Sequence, residues 1–139
     1  MQTALTLETF ASLLLSVILG AVVGLEREKT HKPAGLRTHM LVSLGSCLFT
    51  IVSIGFSLDP ARIAAGIVAG IGFIGAGAIW AEKDKVVGIT TAASLWATGA
   101  IGLTTGIGDY LLAAFVTLLV FLTLYSKAIL KRLGLEKHE

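Results

Sequence analysis

From Gly66 to Trp80 the chain reads GIVAGIGFIGAGAIW, with five glycines and no charge. Gly70-x-Gly72-x-x-Gly75 matches the dinucleotide-binding fingerprint, but that motif needs a preceding strand, a following helix and a distant acidic residue. Here the glycines lie inside the apolar run Ile63–Ala81. At about 1.5 Å per residue, such a run is long enough to cross a bilayer as a helix. At roughly 100° per residue, Gly66, Gly70 and Gly77 fall within about 40° on one face. Gly72 and Gly75 lie roughly opposite, and Ala65, Ala69 and Ala76 fill a third strip. A helix small on several sides is approached closely on several sides. The pattern therefore predicts the central helix of a membrane bundle.

Composition agrees. Of 139 residues, 55% are hydrophobic and 14% charged, where an ordinary soluble domain carries about 25% charged residues. One integral membrane domain over residues 1–139 is expected. The stretch before Leu25 has no Lys or Arg ahead of its apolar run, so no cleavable signal peptide is expected. The single Cys47 lies in an apolar run and reads as a small filler.

Five apolar segments are predicted to be transmembrane helices, at about 9–25, 40–58, 63–81, 86–108 and 110–126. Short connections make consecutive helices antiparallel neighbours. Arg27, Lys29, Lys32 and Arg37 follow the first segment, Lys83 and Lys85 the third, and Lys127, Lys131, Arg132 and Lys137 the last. Only Arg62 falls on the opposite set of loops. By the positive-inside rule the N-terminus is expected outside and the C-terminus in the cytoplasm. Asp59 before Pro60 reads as a helix N-cap, and Asp109 after Gly106-Ile-Gly as another. Trp80, Tyr110 and Tyr125 lie near segment ends as interface anchors, whereas Trp96 is expected to pack against a neighbour's small face. Glu26-Arg27-Glu28-Lys29 and Glu82-Lys83-Asp84-Lys85 share a charge order. Gly35-Leu-Arg-Thr and Gly88-Ile-Thr-Thr follow them, so the two hairpins read either as parallel repeats or as chance likeness.

No nucleophile–base pair, phosphate loop or Cys/His ligand spacing is visible, and the three histidines are scattered. An enzyme is not expected. The informative polar residues gather at the ends of the first four segments that bear the basic loops: Glu26, Arg27 and Glu28; Arg37, Thr38 and His39; Glu82 and Asp84; Thr90, Thr91 and Ser94. These are either solvated orienting charges or a polar vestibule. Glu26 follows Leu25 at the hydrocarbon edge, where an unpaired carboxylate is costly. Its expected partner is Arg37 across the first hairpin, closing a pocket with Thr38 and Thr91. Glu26, Glu28, Glu82 and Asp84 are the candidates should a divalent cation bind.

The runs Gly24-Leu-Glu-Arg-Glu28, Lys32-Pro-Ala-Gly-Leu-Arg-Thr-His39, Gly70-Ile-Gly-Phe-Ile-Gly-Ala-Gly77 and Gly88-Ile-Thr-Thr-Ala-Ala-Ser-Leu-Trp96 resemble the MgtC/SapB family of membrane proteins. The resemblance covers about Gly20 to Tyr110. By motif, it carries over Glu26, Arg27, Gly35, Arg37, Thr38, Gly72, Gly75, Gly77, Thr91 and Trp96 as family residues. It implies a cytoplasmic-membrane protein linked with magnesium limitation and acid stress, and, in the virulence branch, inhibition of the ATP synthase. That branch has asparagine where Thr90 stands, cysteine where Ala97 stands, and a C-terminal ACT-like domain. The shorter SapB-like branch is the expected match. The reading favoured by sequence is a regulatory or partner-binding protein in magnesium homeostasis. The alternative is a transporter or channel for Mg2+, H+ or a small solute. No resident cofactor and no nucleic-acid partner are expected, with the bilayer, a second copy of the chain and another membrane protein such as the ATP synthase as partners. Absence of mid-depth charge in the segments favours regulation over a pore. Glycine faces in excess of what five helices fill motivate the homo-oligomer.

Overall fold

The computed structural model describes residues 6–55, 59–83 and 85–132. Five helices form: α1 (Leu7–Lys29), α2 (Leu36–Gly55), α3 (Pro60–Ala76), α4 (Ile89–Gly106) and α5 (Tyr110–Arg132). Between α3 and α4 lies a small antiparallel hairpin, β1 (Trp80–Glu82) and β2 (Lys85–Val87), with Trp80 opposite Val87. The five-helix expectation holds, but the third and fourth segments are shorter than their hydropathy suggested. Gly77 and Gly88 are the reason. Gly88 adopts φ +93°, and a Cβ there would strike the Ala78 carbonyl, so the chain turns where a continuous helix would run.

The helix ends follow the sequence closely. Asp59 accepts a hydrogen bond from the Ala61 N–H at 3.1 Å, and Asp109 accepts one from the Leu112 N–H at 3.1 Å. Both therefore cap as expected. Thr6 caps α1, with Glu8 in its first turn and Arg27 and Lys29 in its last, matching the helix dipole.

Helices α1, α2 and α5 are long and apolar enough to cross a membrane. Their outward faces carry large apolar side chains: Leu7 on α1, Leu41 on α2 and Leu111 on α5 are each more than three-fifths exposed. The interior is the unusual part. Its buried residues include Ser12 and Ser16 of α1, Ser43, Ser46, Thr50 and Ser53 of α2, and Thr91, Ser94, Thr98 and Thr105 of α4. Small polar residues inside and aliphatic ones outside are what a lipid solvent selects, because tails compete with Leu but not with hydroxyls.

The third helix is not central within the subunit. α4 packs against the other four helices, while α3 packs principally against α2 and α4 alone. The close approaches occur elsewhere. A Cβ on Gly20 would lie 2.7 Å from the His39 carbonyl, and one on Gly24 2.8 Å from Leu36 Cα. On Gly106 it would lie 2.7 Å from Thr50 Cβ, and on Gly102 it would run into the Ser43 carbonyl. Of the glycines singled out on α3, Gly75 meets Ala92 at 3.4 Å and Gly77 only its own helix end. Gly66, Gly70 and Gly72 meet nothing within 4 Å. Trp96, expected against a neighbour's small face, is instead exposed.

The α1–α2 and α3–α4 hairpins pack differently around the α2–α4 pair, since among the described residues α1 also packs on α5 and α3 does not. α1 packs on α2 and α4, and α3 packs on α4 and α2.

Candidate functional site

The polar residues converge where α1 ends and α2 and α4 begin. Gly24 makes this possible by letting the first turn of α2 rest against the α1 backbone. The approach buries His39 completely. Its Nδ1 lies 2.8 Å from the Gly35 carbonyl, so that nitrogen must carry a proton and donate. Its Nε2 lies 3.1 Å from Ser94 Oγ on α4, and with Nδ1 protonated it accepts from that hydroxyl, whose one proton is shared with the Thr91 carbonyl at 2.7 Å. His39 thus ties α2 to α4 across the interior through one side chain.

Glu26 and Arg27 are also buried there. The Arg27 Nε–H donates to Glu26 Oε2, forming a buried ion pair. Arg27 therefore takes the place expected of Arg37. Arg37 is exposed, and among the described residues no carboxylate lies within 4.0 Å of its charged group. The physical reason is the direction in which α2 leaves the turn. Its buried face carries His39 and Ser43, and Arg37 falls on the other side. Glu28 has a separate task. Its Oε2 accepts the Leu36 N–H at 2.9 Å, so a carboxylate from α1 caps the N-terminus of α2. Gly35 leaves room for it, since a Cβ there would strike the Glu28 carboxylate.

Of the predicted vestibule residues, the fold gathers Glu26, Arg27 and Thr91 with His39 and Ser94. It leaves Arg37 and Thr90 exposed, and turns Thr38 towards the space between α2 and α3. Among the cation candidates, Glu82 is exposed on β1, and Asp84 lies outside the described residues, as do Lys137 and His138. Among the described residues no three His, Cys, Asp or Glu side chains converge. A resident Mg2+ asks for several free oxygen ligands in octahedral array. Glu26 is engaged by Arg27 and Glu28 by a backbone N–H, so this donor set does not fit one.

Beyond this cluster a column of hydroxyls continues along the helix interface. Thr98, Thr105 and Thr50 donate to their own helix carbonyls at 2.8 Å each. Ser43 Oγ and Ser53 Oγ are buried without a partner among the described residues. The sequence contains the signal for this column: His39, Ser43, Ser46, Thr50 and Ser53 recur at alternating spacings of four and three, a heptad seam written in polar residues. Neither the charges nor the glycines mark it.

Residues 13–133 match the family profile described as the MgtC family. The chain is 45% identical over 130 residues to YhiD of Escherichia coli K12, whose name assigns it provisionally to magnesium transport; the match covers 86% of the chain and 60% of YhiD. It is 41% identical over 119 residues to protein SapB of Bacillus subtilis, covering 78% of the chain and 51% of SapB. It is 44% identical over 110 residues to protein MgtC of Salmonella typhimurium, covering 78% of the chain and 48% of MgtC. The chain thus spans about half to three-fifths of the length of these relatives. No solved structure matches it significantly. A profile match across all five helices, together with these relatives, establishes that the chain belongs to the MgtC family.

Proposed function

We propose that the chain is a multi-pass protein of the cytoplasmic membrane that acts in magnesium homeostasis by regulation, binding a membrane partner rather than conducting Mg2+. The five helices span the bilayer, with the N-terminus outside and the C-terminus in the cytoplasm. The partner is another membrane protein, of which the ATP synthase is one to test. The observation that carries this reading is the closure of the polar interior. Gly20, Gly102 and Gly106 bring α1 and α4 onto the α2 backbone at distances that a methyl group would violate. A hydrated divalent cation gives up its water reluctantly, and an interface this tight offers it neither space nor free carboxylates.

The transporter reading draws on two specific facts. A relative carries a magnesium-transport name, and two buried serine hydroxyls stand without partners in the interior. Backbone and hydroxyl oxygens line some ion routes. Proteoliposomes separate the two readings. Purified protein is expected to pass neither Mg2+ nor protons when each gradient is imposed separately, while a deletion strain grows poorly in low magnesium and is rescued by the gene. Saturable Mg2+ uptake that Ser43→Val abolishes would establish transport instead.

A further inference from the structure

A large open space lies between α2 and α3, outside the polar cluster. It is a groove of about 660 Å³, floored by Gly45, Gly66 and Gly70 and walled by Ile67 and Ile71, with Thr38 near one end and Arg62 near the other. Helix packing inside the subunit does not account for the three floor glycines. A Cβ on any of them would meet nothing within 4 Å, in contrast to those on Gly20, Gly102 and Gly106. Glycine is the poorest residue for a helix interior after proline, so three of them facing empty space point to an occupant.

We propose that this groove binds one acyl chain of an anionic phospholipid, whose phosphate is held by Arg62. Length supports a chain. From Ile63 to Ile74 the groove follows α3 for about 17 Å at 1.5 Å per residue, close to the roughly 15 Å depth of one leaflet's hydrocarbon. Chemistry supports it too. Apart from Thr38, Ser46 and Arg62 the lining is aliphatic, aromatic or glycine. Arg62 sits at the first turn of α3, the end at which a headgroup would emerge. It is exposed, and among the described residues no carboxylate lies within ion-pair distance. A guanidinium fork matches a phosphodiester through two parallel hydrogen bonds.

The rival occupant is α3 of a second copy, since Gly66-x-x-x-Gly70 is also a helix-pairing spacing. A two-fold axis along the membrane normal would place the same face of both helices together. Arg62 would then approach its own counterpart, leaving like charges at the hydrocarbon edge with no acid among the groove residues to offset them. The lipid brings the missing negative charge with it.

The test is lipid retention by the full chain purified from bacterial membranes in mild detergent, read as phosphorus per protein and by native mass spectrometry. Wild type is expected to retain one phospholipid per chain and to take up phosphatidylglycerol several-fold better than phosphatidylcholine from mixed vesicles. Gly70→Leu should fill the groove and lower retention several-fold. Gly72→Leu, open but outside the groove, should not. Arg62→Gln should abolish the headgroup preference while leaving helicity unchanged. Unaltered retention in Gly70→Leu would overturn the proposal, as would an undiminished phosphatidylglycerol preference in Arg62→Gln. If Gly70→Leu instead turns an oligomer into a monomer with its lipid unaltered, the groove is a protein interface. Should Gly70→Leu fail to fold, the Arg62→Gln exchange measurement decides alone.

Discussion

At the scale of single residues, the protein buries a small set of strong polar groups and satisfies them locally. His39 donates to the Gly35 carbonyl just ahead of its own helix and meets a hydroxyl on another, so its loss removes packing and two hydrogen bonds together. His39→Ala should lower stability by about 2–4 kcal/mol, combining a cavity with lost bonds. Ser94→Ala should cost about 1 kcal/mol. Thermal unfolding in detergent checks both. The buried Glu26–Arg27 pair makes a sharper contrast. Arg27→Gln strands a buried carboxylate and should cost about 3–5 kcal/mol, whereas Arg37→Gln, at an exposed position, should stay within about 0.5 kcal/mol. Equal effects from the two arginine variants would mean that Glu26 turns to Arg37 after all. Arg27 was hard to choose from sequence because adjacent helix residues rarely face one another. Only the burial of both against α2 makes the i, i+1 pairing the available one.

At the scale of elements, the glycines divide into two classes that look alike in sequence. Gly102 and Gly106 on α4 hold two helices at backbone contact, while Gly66 and Gly70 on α3 border empty space. Gly102→Leu should therefore unfold or mispack the bundle, with an overpacking cost of at least about 1–3 kcal/mol. Gly70→Leu should leave the unfolding temperature of the isolated subunit near wild type. Should the two variants be equally damaging, α3 makes a close contact that the subunit alone does not contain. Glu28 acts at this scale as well. By capping α2 from α1 it fixes the turn at residues 30–35, and Glu28→Ala should cost about 1 kcal/mol, the usual penalty for a lost N-cap. That role is legible only once Gly35 is seen to clear a path for the carboxylate.

For the whole molecule, alternating helix directions place the α1–α2 turn and the β1–β2 hairpin at one end. The Ser12–Tyr110 hydrogen bond at 2.8 Å sets the start of α5 beside the start of α1, so the end of α5 joins that same basic end. Nine of the eleven Lys and Arg residues lie in these three regions, and Lys137 lies outside the described residues. A reporter fused after Glu139 should read cytoplasmic, and one inserted at Gly106–Asp109 should read external. Reporters on the same side at both sites would remove the five-span topology. Among the described residues only α1, α2 and α5 pass as spans on length and hydropathy, because α3 is short and α4 carries the inward-facing threonines.

Hydropathy, charge placement and capping chemistry settle the membrane character, the helix number, the Asp59 and Asp109 caps and the gathering of basic residues at one end. Each acts between a residue and its solvent or its own helix, and so can be read without knowing any neighbour. Helix rotation is different. Whether Gly70 or Gly102 touches another backbone, whether Glu26 meets Arg27 or Arg37, and whether Trp96 faces protein or lipid depend on how each cylinder is turned against the next. The polar seam of α2 sets that rotation by drawing His39 to Ser94 and Ser43 beneath Gly102. A seam has meaning only when its opposite face is in place, and that face comes from a helix more than fifty residues further along the chain.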